Sequence, residues 1–150
     1  MSNNPLRQYF RQPAIYIKLP SGGNYWRDDA LSIPANGEIG VMSMTTKDEI
    51  TLRTPDALMN GQGVVSVIES CCPNIHDAWG MPGIDVDATL IAIRIASYGN
   101  QMDFTSTCPH CGTEHDYAID LGKTLASVSS PDYTDRKSTR LNSSHTDISR

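Results

Sequence analysis

The sequence predicts an α+β fold: a small β-rich unit at the N-terminus, helices in the centre, and a C-terminal β-hairpin bearing a Cys-x-x-Cys knuckle. Three observations carry that prediction. Short apolar runs in the first third are separated by Pro, Gly and Asn turns; two helix-start signals open the middle; and residues 101–119 alternate apolar and polar around Cys108-Pro109-His110-Cys111-Gly112.

The lead-in, residues 5–13, mixes Leu6, Tyr9 and Phe10 with Arg7 and Arg11. Those residue types dominate interface hot spots, so the arm is expected to be an interface element, mobile unless it packs onto something. Residues 14–19 read as a strand and Pro20-Ser21-Gly22-Gly23 as a turn, with Tyr25-Trp26 starting a short return strand. Asn36-Gly37 marks another tight turn before a strand over residues 38–44.

At Met44 the pattern changes. Thr46-Lys47-Asp48-Glu49 has the form of a capping box, and Thr54-Pro55-Asp56 sets proline at a first helical position, giving two short helices with the second ending near Asn60-Gly61. A third helix is expected over residues 64–72, its core stripe formed by Val64, Val67, Ile68 and Cys71, and Pro73 stops it. Residues 73–83 form a loop pinned by Trp79.

The run that follows is strongly apolar from Ala88 to Ala96, interrupted by Thr89 and Arg94. Its β-branched content would also suit a strand over residues 89–95. The end signals favour a buried helix: Asp85 to accept from first-turn amides, and Gly99 to take the left-handed conformation that closes a helix. Arg94 inside such a helix must reach water or a carboxylate, and a structural ion pair is the simplest outcome. In the hairpin beyond it, Met102, Phe104 and Ser106 face one side, Asp103, Thr105 and Thr107 the other, and Tyr117 and Ile119 return as the partner strand. Residues 122–134 are weakly patterned.

From Asp135 to Ser149 the chain resembles the translation of a widely used sequencing-library adapter. A Ser/Thr/Arg-rich disordered tail is the alternative reading of the same composition. The adapter reading divides the chain into a single α+β domain at residues 1–134, truncated at its C-terminus, and a non-native, disordered tail at 135–150. Taking away the tail's four basic and two acidic residues lowers the chain's 12 basic and 17 acidic to 8 and 15, a net charge of −7. A domain that acidic is a poor match for phosphate backbones. The first residues lack the apolar core of a secretory signal, and no apolar run approaches the ~20 residues of a membrane helix, so the product is expected to be soluble and intracellular when made.

Cys108 and Cys111 are the candidate metal ligands, with zinc as the metal. A Cys-Pro-x-Cys-Gly turn points backbone amides at two thiolates, but tetrahedral zinc needs four ligands and no second Cys-x-x-Cys follows. Cys71, Cys72, His76, His110, His115 or a missing C-terminus could complete the set; equally, the knuckle could be a metal-free turn. A thioredoxin-like redox role is the weaker reading, because Gly112-Thr113-Glu114-His115-Asp116 is a poor helix opening and no β-α-β pattern precedes the pair. Cys71 and Cys72 read most simply as core thiols. No nucleophile-base set, phosphate-binding loop or paired-carboxylate motif is present in the sequence, so no enzyme activity is expected.

These residues together resemble the T4-type bacteriophage baseplate protein family, assigned to the hub of the contractile tail. The resemblance spans about residues 4–121. It rests on Asn4-Pro5-Leu6-Arg7-Gln8-Tyr9-Phe10-Arg11, the Leu19-Pro20-Ser21-Gly22-Gly23 end of the first strand, Asp48-Glu49-Ile50-Thr51, Thr54-Pro55-Asp56-Ala57-Leu58, Ile91-Ala92-Ile93-Arg94-Ile95-Ala96-Ser97 and the cysteine turn. It implies a non-enzymatic structural or assembly component of the virion tail baseplate, made in the host cytoplasm, whose partners are other hub or tail proteins, with no membrane and no nucleic acid; whether it self-associates is left open. The alternative is a small zinc-knuckle regulatory or nucleic-acid-binding module. Basic residues around the hairpin would favour that alternative, but Asp103, Glu114, Asp116 and Asp120 stand there instead.

Overall fold

The computed structural model describes residues 10–128. The arm residues before Phe10 and the adapter-like tail fall outside the described residues. Within them the chain is α+β: β1 (Ile15–Ile17), β2 (Ile39–Val41), α1 (Thr46–Arg53), α2 (Pro55–Met59), α3 (Gln62–Cys71), α4 (Gly83–Tyr98), β3 (Gln101–Thr107), β4 (Glu114–Asp120) and α5 (Leu121–Ser127). The strands form two separate antiparallel pairs, β1 with β2 and β3 with β4.

One core joins the N-terminal pair to the helices. Ile17, Ile39 and Val41 pack with Val67, Ile68 and Cys71 of α3 and with Ala92 and Ile93 of α4. Ile39, Ile68 and Ile93 are fully buried, each removing enough apolar surface from water to contribute about 1.5–3 kcal/mol. Of the predicted α3 stripe Val67, Ile68 and Cys71 are buried, whereas Val64 is half-buried and Val65, outside that stripe, is buried as well.

Several local expectations shift by a residue or a partner. The capping box at α1 is Thr45 with Asp48, one position ahead of the Thr46–Glu49 reading. Thr45 holds the extended conformation (φ −91°, ψ 165°) in which its hydroxyl faces the Asp48 amide, while Thr46 is already helical. Tyr25 and Trp26 form no strand: Tyr25 adopts φ 67° at the end of consecutive turns. The loop before α4 is pinned by buried Ile75, Ala78 and Met81, whereas Trp79 is 57% exposed. Leu31 also makes an isolated antiparallel bridge with Ile75.

α4 is the helix its end signals indicate, 16 residues long; Gly99 closes it with its N–H on the Ile95 carbonyl, at φ 86° and ψ 178°, a glycine-favouring extended conformation in place of the left-handed helical one expected. Its start differs. Pro82 occupies the N-cap position, so Asp85 lies inside the first turn and is fully buried. Its carboxylate accepts the Ser21 N–H at 2.8 Å, the Ser21 hydroxyl, and the Trp26 indole N–H at 2.8 Å. Those three donors replace the water lost on burial and fasten the turn after β1 to the helix. Among the described residues Arg94 makes no ion pair of the kind expected and its Nη1 has no hydrogen-bond partner; its guanidinium lies 4.4 Å from the Tyr98 ring centroid.

Beyond β4 the weakly patterned stretch opens as α5. Asp120 caps it by accepting the Gly122 N–H at 2.9 Å, and buried Leu121 begins a helix that packs on α4.

Candidate interaction site on the hairpin

β3 and β4 pair over seven residues each, with Met102 opposite Ile119 and Phe104 opposite Tyr117. Strand alternation puts these four side chains on one face, and the Phe104 and Tyr117 rings stack 5.2 Å apart. The sequence predicts a half-buried hairpin. Instead every β3 residue is exposed, and in β4 only Asp120 is half-buried. The reason is positional: the hairpin leaves the body after Gly99 and returns at Leu121, whose N–H donates to the Asn100 carbonyl at 2.8 Å, so the strands pack chiefly on each other.

At the tip the two candidate ligands share one turn. The Cys108 N–H donates to the Thr113 carbonyl and the Gly112 N–H to the Cys108 carbonyl, both at 2.9 Å, and Gly112 supplies φ 70°. Cys108 is half-buried and Cys111 exposed; both are free thiols. The Cys111 thiol is held below the ordinary thiol range, first by the Thr113 hydroxyl 3.2 Å away, then by the Thr113 backbone and Cys108. The turn therefore eases deprotonation of Cys111 relative to an ordinary thiol.

Of the other proposed ligands, His110 stands in the tip turn itself and His115 on β4, whereas Cys71, Cys72 and His76 lie in the body. Cys71 and Cys72 are fully buried core thiols; burial pushes the first up and the second to about 12. The His76 ring contacts the Ser32 hydroxyl at 2.8 Å. Among the described residues no group of three or more His, Cys, Asp or Glu side chains is placed to hold a metal ion. The tip thus brings two thiols together, half the number of ligands that a tetrahedral zinc site needs.

Of the arm, Phe10 is 62% exposed, and Arg11 is engaged within the chain. Its guanidinium donates to the Ser43 carbonyl and to the Ser70 carbonyl and hydroxyl, and lies 3.7 Å from Asp48. Burial alone pushes the Asp48 carboxyl up, but the Thr45 backbone and hydroxyl, the Ser70 hydroxyl and Arg11 together hold it below 3.8.

The described residues of the body line clefts, of which two are of similar size. One, about 220 Å³, is lined by Lys18, Leu19, Gly22, Ile33, Gly37 and Ile39. The other, about 230 Å³, is lined by Met44, Glu49, Leu52, Arg53 and Tyr98, with the Tyr98 hydroxyl donating to Glu49.

Against protein-family models, residues 13–146 match the T4 bacteriophage base plate protein. The chain belongs to that family. It is accordingly a structural component of a bacteriophage tail base plate. No curated protein and no solved structure matches the chain. No helix among the described residues of this base plate protein is long and apolar enough to cross a membrane. The exposed Phe104–Tyr117 face is the feature that residue-by-residue reading missed, since alternation reports that a strand has two unlike faces and not what covers the apolar one.

Proposed function

We propose that this chain acts in the hub of the base plate as a non-enzymatic assembly component, working through contacts with neighbouring tail proteins after synthesis in the host cytoplasm. The observation that carries the reading is the base plate family match together with large apolar side chains left in water: Phe10, Ile50, Met59 and Trp79 on the body and the four on the hairpin. Such surface suits a protein that completes its burial in an assembly. The nucleic-acid alternative is disfavoured because the hairpin carries four carboxylates and no Lys or Arg. Incorporation tests the reading. Tails assembled with an epitope-tagged chain are expected to carry the tag at the base plate centre in labelled electron micrographs; tag at the periphery would rule out the hub, and its absence from tails would remove the assembly role.

Within that role we assign Cys108 and Cys111 as a thiolate pair that ligates zinc at the hairpin tip, with two ligands from outside the described residues. The Cys111 thiol held low by Thr113 supports it. Elemental analysis of the purified chain, beside the Cys108→Ser/Cys111→Ser variant, is the test. Stoichiometric zinc lost in the variant is expected; an equal, zinc-free result for both strikes the two residues from the site.

A further inference from the structure

Resting on the base plate reading, we propose that the hairpin is a docking element whose occupant is a different protein, one presenting an apolar groove bordered by Lys and Arg side chains. The apolar half of that statement comes from register. Met102, Phe104, Tyr117 and Ile119 share one face, and they are 38%, 39%, 47% and 38% exposed. Strict alternation with all large apolar residues on one side is what a sheet needs when that side is covered. None of the described elements covers it.

Charge identifies the kind of surface. Between Gln101 and Asp120 there are four carboxylates, Asp103, Glu114, Asp116 and Asp120, and no Lys or Arg, so the hairpin carries −4 of the chain's formal net −5. Asp103, Glu114 and Asp116 alternate onto the face opposite the apolar one, where Asp116 accepts the Thr105 hydroxyl at 2.6 Å. A groove that receives a two-stranded hairpin closes around its edges as well as its apolar face. Its rim meets those carboxylates, and cationic side chains there are complementary. A second copy of this chain would bring the same acidic hairpin and no matching cations from it.

Two measurements test the proposal. In assembled tails, the full chain with p-benzoylphenylalanine in place of Phe104 is irradiated and the cross-linked peptide sequenced. The expected product is a peptide of another protein with apolar residues flanked by Lys or Arg. A peptide from this chain, one with an acidic border, or no cross-link in tails that contain the chain overturns the proposal.

The second uses purified chain, titrated with an amphipathic Leu/Lys peptide and a matched Leu/Glu peptide and followed by amide resonances. Shifts at residues 101–120 are expected with the Leu/Lys peptide, weakened roughly tenfold by high salt and by Asp103→Lys/Asp116→Lys. Equal response to both peptides, or none at the hairpin, overturns it. A wild-type chain that never enters tails counts against the base plate reading, and the peptide titration then decides the hairpin separately.

Discussion

Trp26 donates its indole N–H to the Asp85 carboxylate at 2.8 Å, linking the turn that follows β1 to the first turn of α4 across 59 residues of chain. Ser21 gives the same carboxylate two further donors. Asp85→Ala leaves all three without their acceptor in a fully buried site and is expected to cost about 3 kcal/mol or more, while Trp26→Phe, losing one donor, should cost about 1–2 kcal/mol. Urea melts of the two variants check the ordering; equal losses would mean that the three donors act as one unit, and no loss in Trp26→Phe that the indole N–H carries no share.

Arg11 should behave as part of the body. Arg11→Ala is expected to cost about 1–2 kcal/mol, since the Ser43 and Ser70 carbonyls and Asp48 all lose a donor or counter-charge. Removing residues 1–12 should therefore lower the melting temperature, and an unchanged melt would return Arg11 to the role of a free interface residue.

Asp48 makes the fold acid-sensitive over a defined window. Its folded pKa lies below the ordinary 3.8, so its contribution is complete above that value and is lost as pH falls from 3.8 through the folded value. Asp48→Asn should be less stable than wild type at neutral pH, and the gap should close on acidification below 3.8. A gap independent of pH would show that the carboxylate's charge is not what Thr45, Ser70 and Arg11 recognise.

Thr89 is fully buried on α4, and its hydroxyl has no partner among the described residues. Thr89→Val keeps the branched shape and removes the unsatisfied oxygen, so a gain of about 1 kcal/mol is expected in thermal or urea unfolding. A loss would indicate a partner for the hydroxyl that the static geometry lacks.

The four thiols should separate by reactivity. Cys111, exposed and held low, is expected to alkylate at a lower pH than an ordinary thiol; Cys72, pushed up to about 12, should stay unmodified until the chain unfolds. Peptide mapping after timed iodoacetamide treatment distinguishes them. Simultaneous labelling of both at neutral pH would contradict the buried placement.

Most of the element order was legible because it rests on local signals: Thr54-Pro55 for α2, the Val67/Ile68/Cys71 spacing for α3, Gly99 for the end of α4 and the cysteine turn for the hairpin. What was not legible depends on distant partners. Asp85 looks like a cap from its neighbours alone, and only the approach of Ser21 and Trp26 makes it a buried acceptor. Arg94 looks like half of an ion pair, yet the side chain one turn on, Tyr98, offers a ring face. The cysteine pair could be placed at a turn from its letters, while the separation of Cys71 and Cys72 from it required the packing of α3.

The hairpin joins the body at one seam, between Gly99 at the end of α4 and Leu121 at the start of α5, and its seven-residue strands rise about 23 Å from there. Folding instructions and recognition surface are thereby written in different stretches of the chain. A substitution at Phe104 or Tyr117 alters what the tip region fits without disturbing Ile68 or Ile93. The hairpin's surface chemistry is thereby separable from the packing that keeps the helical body folded.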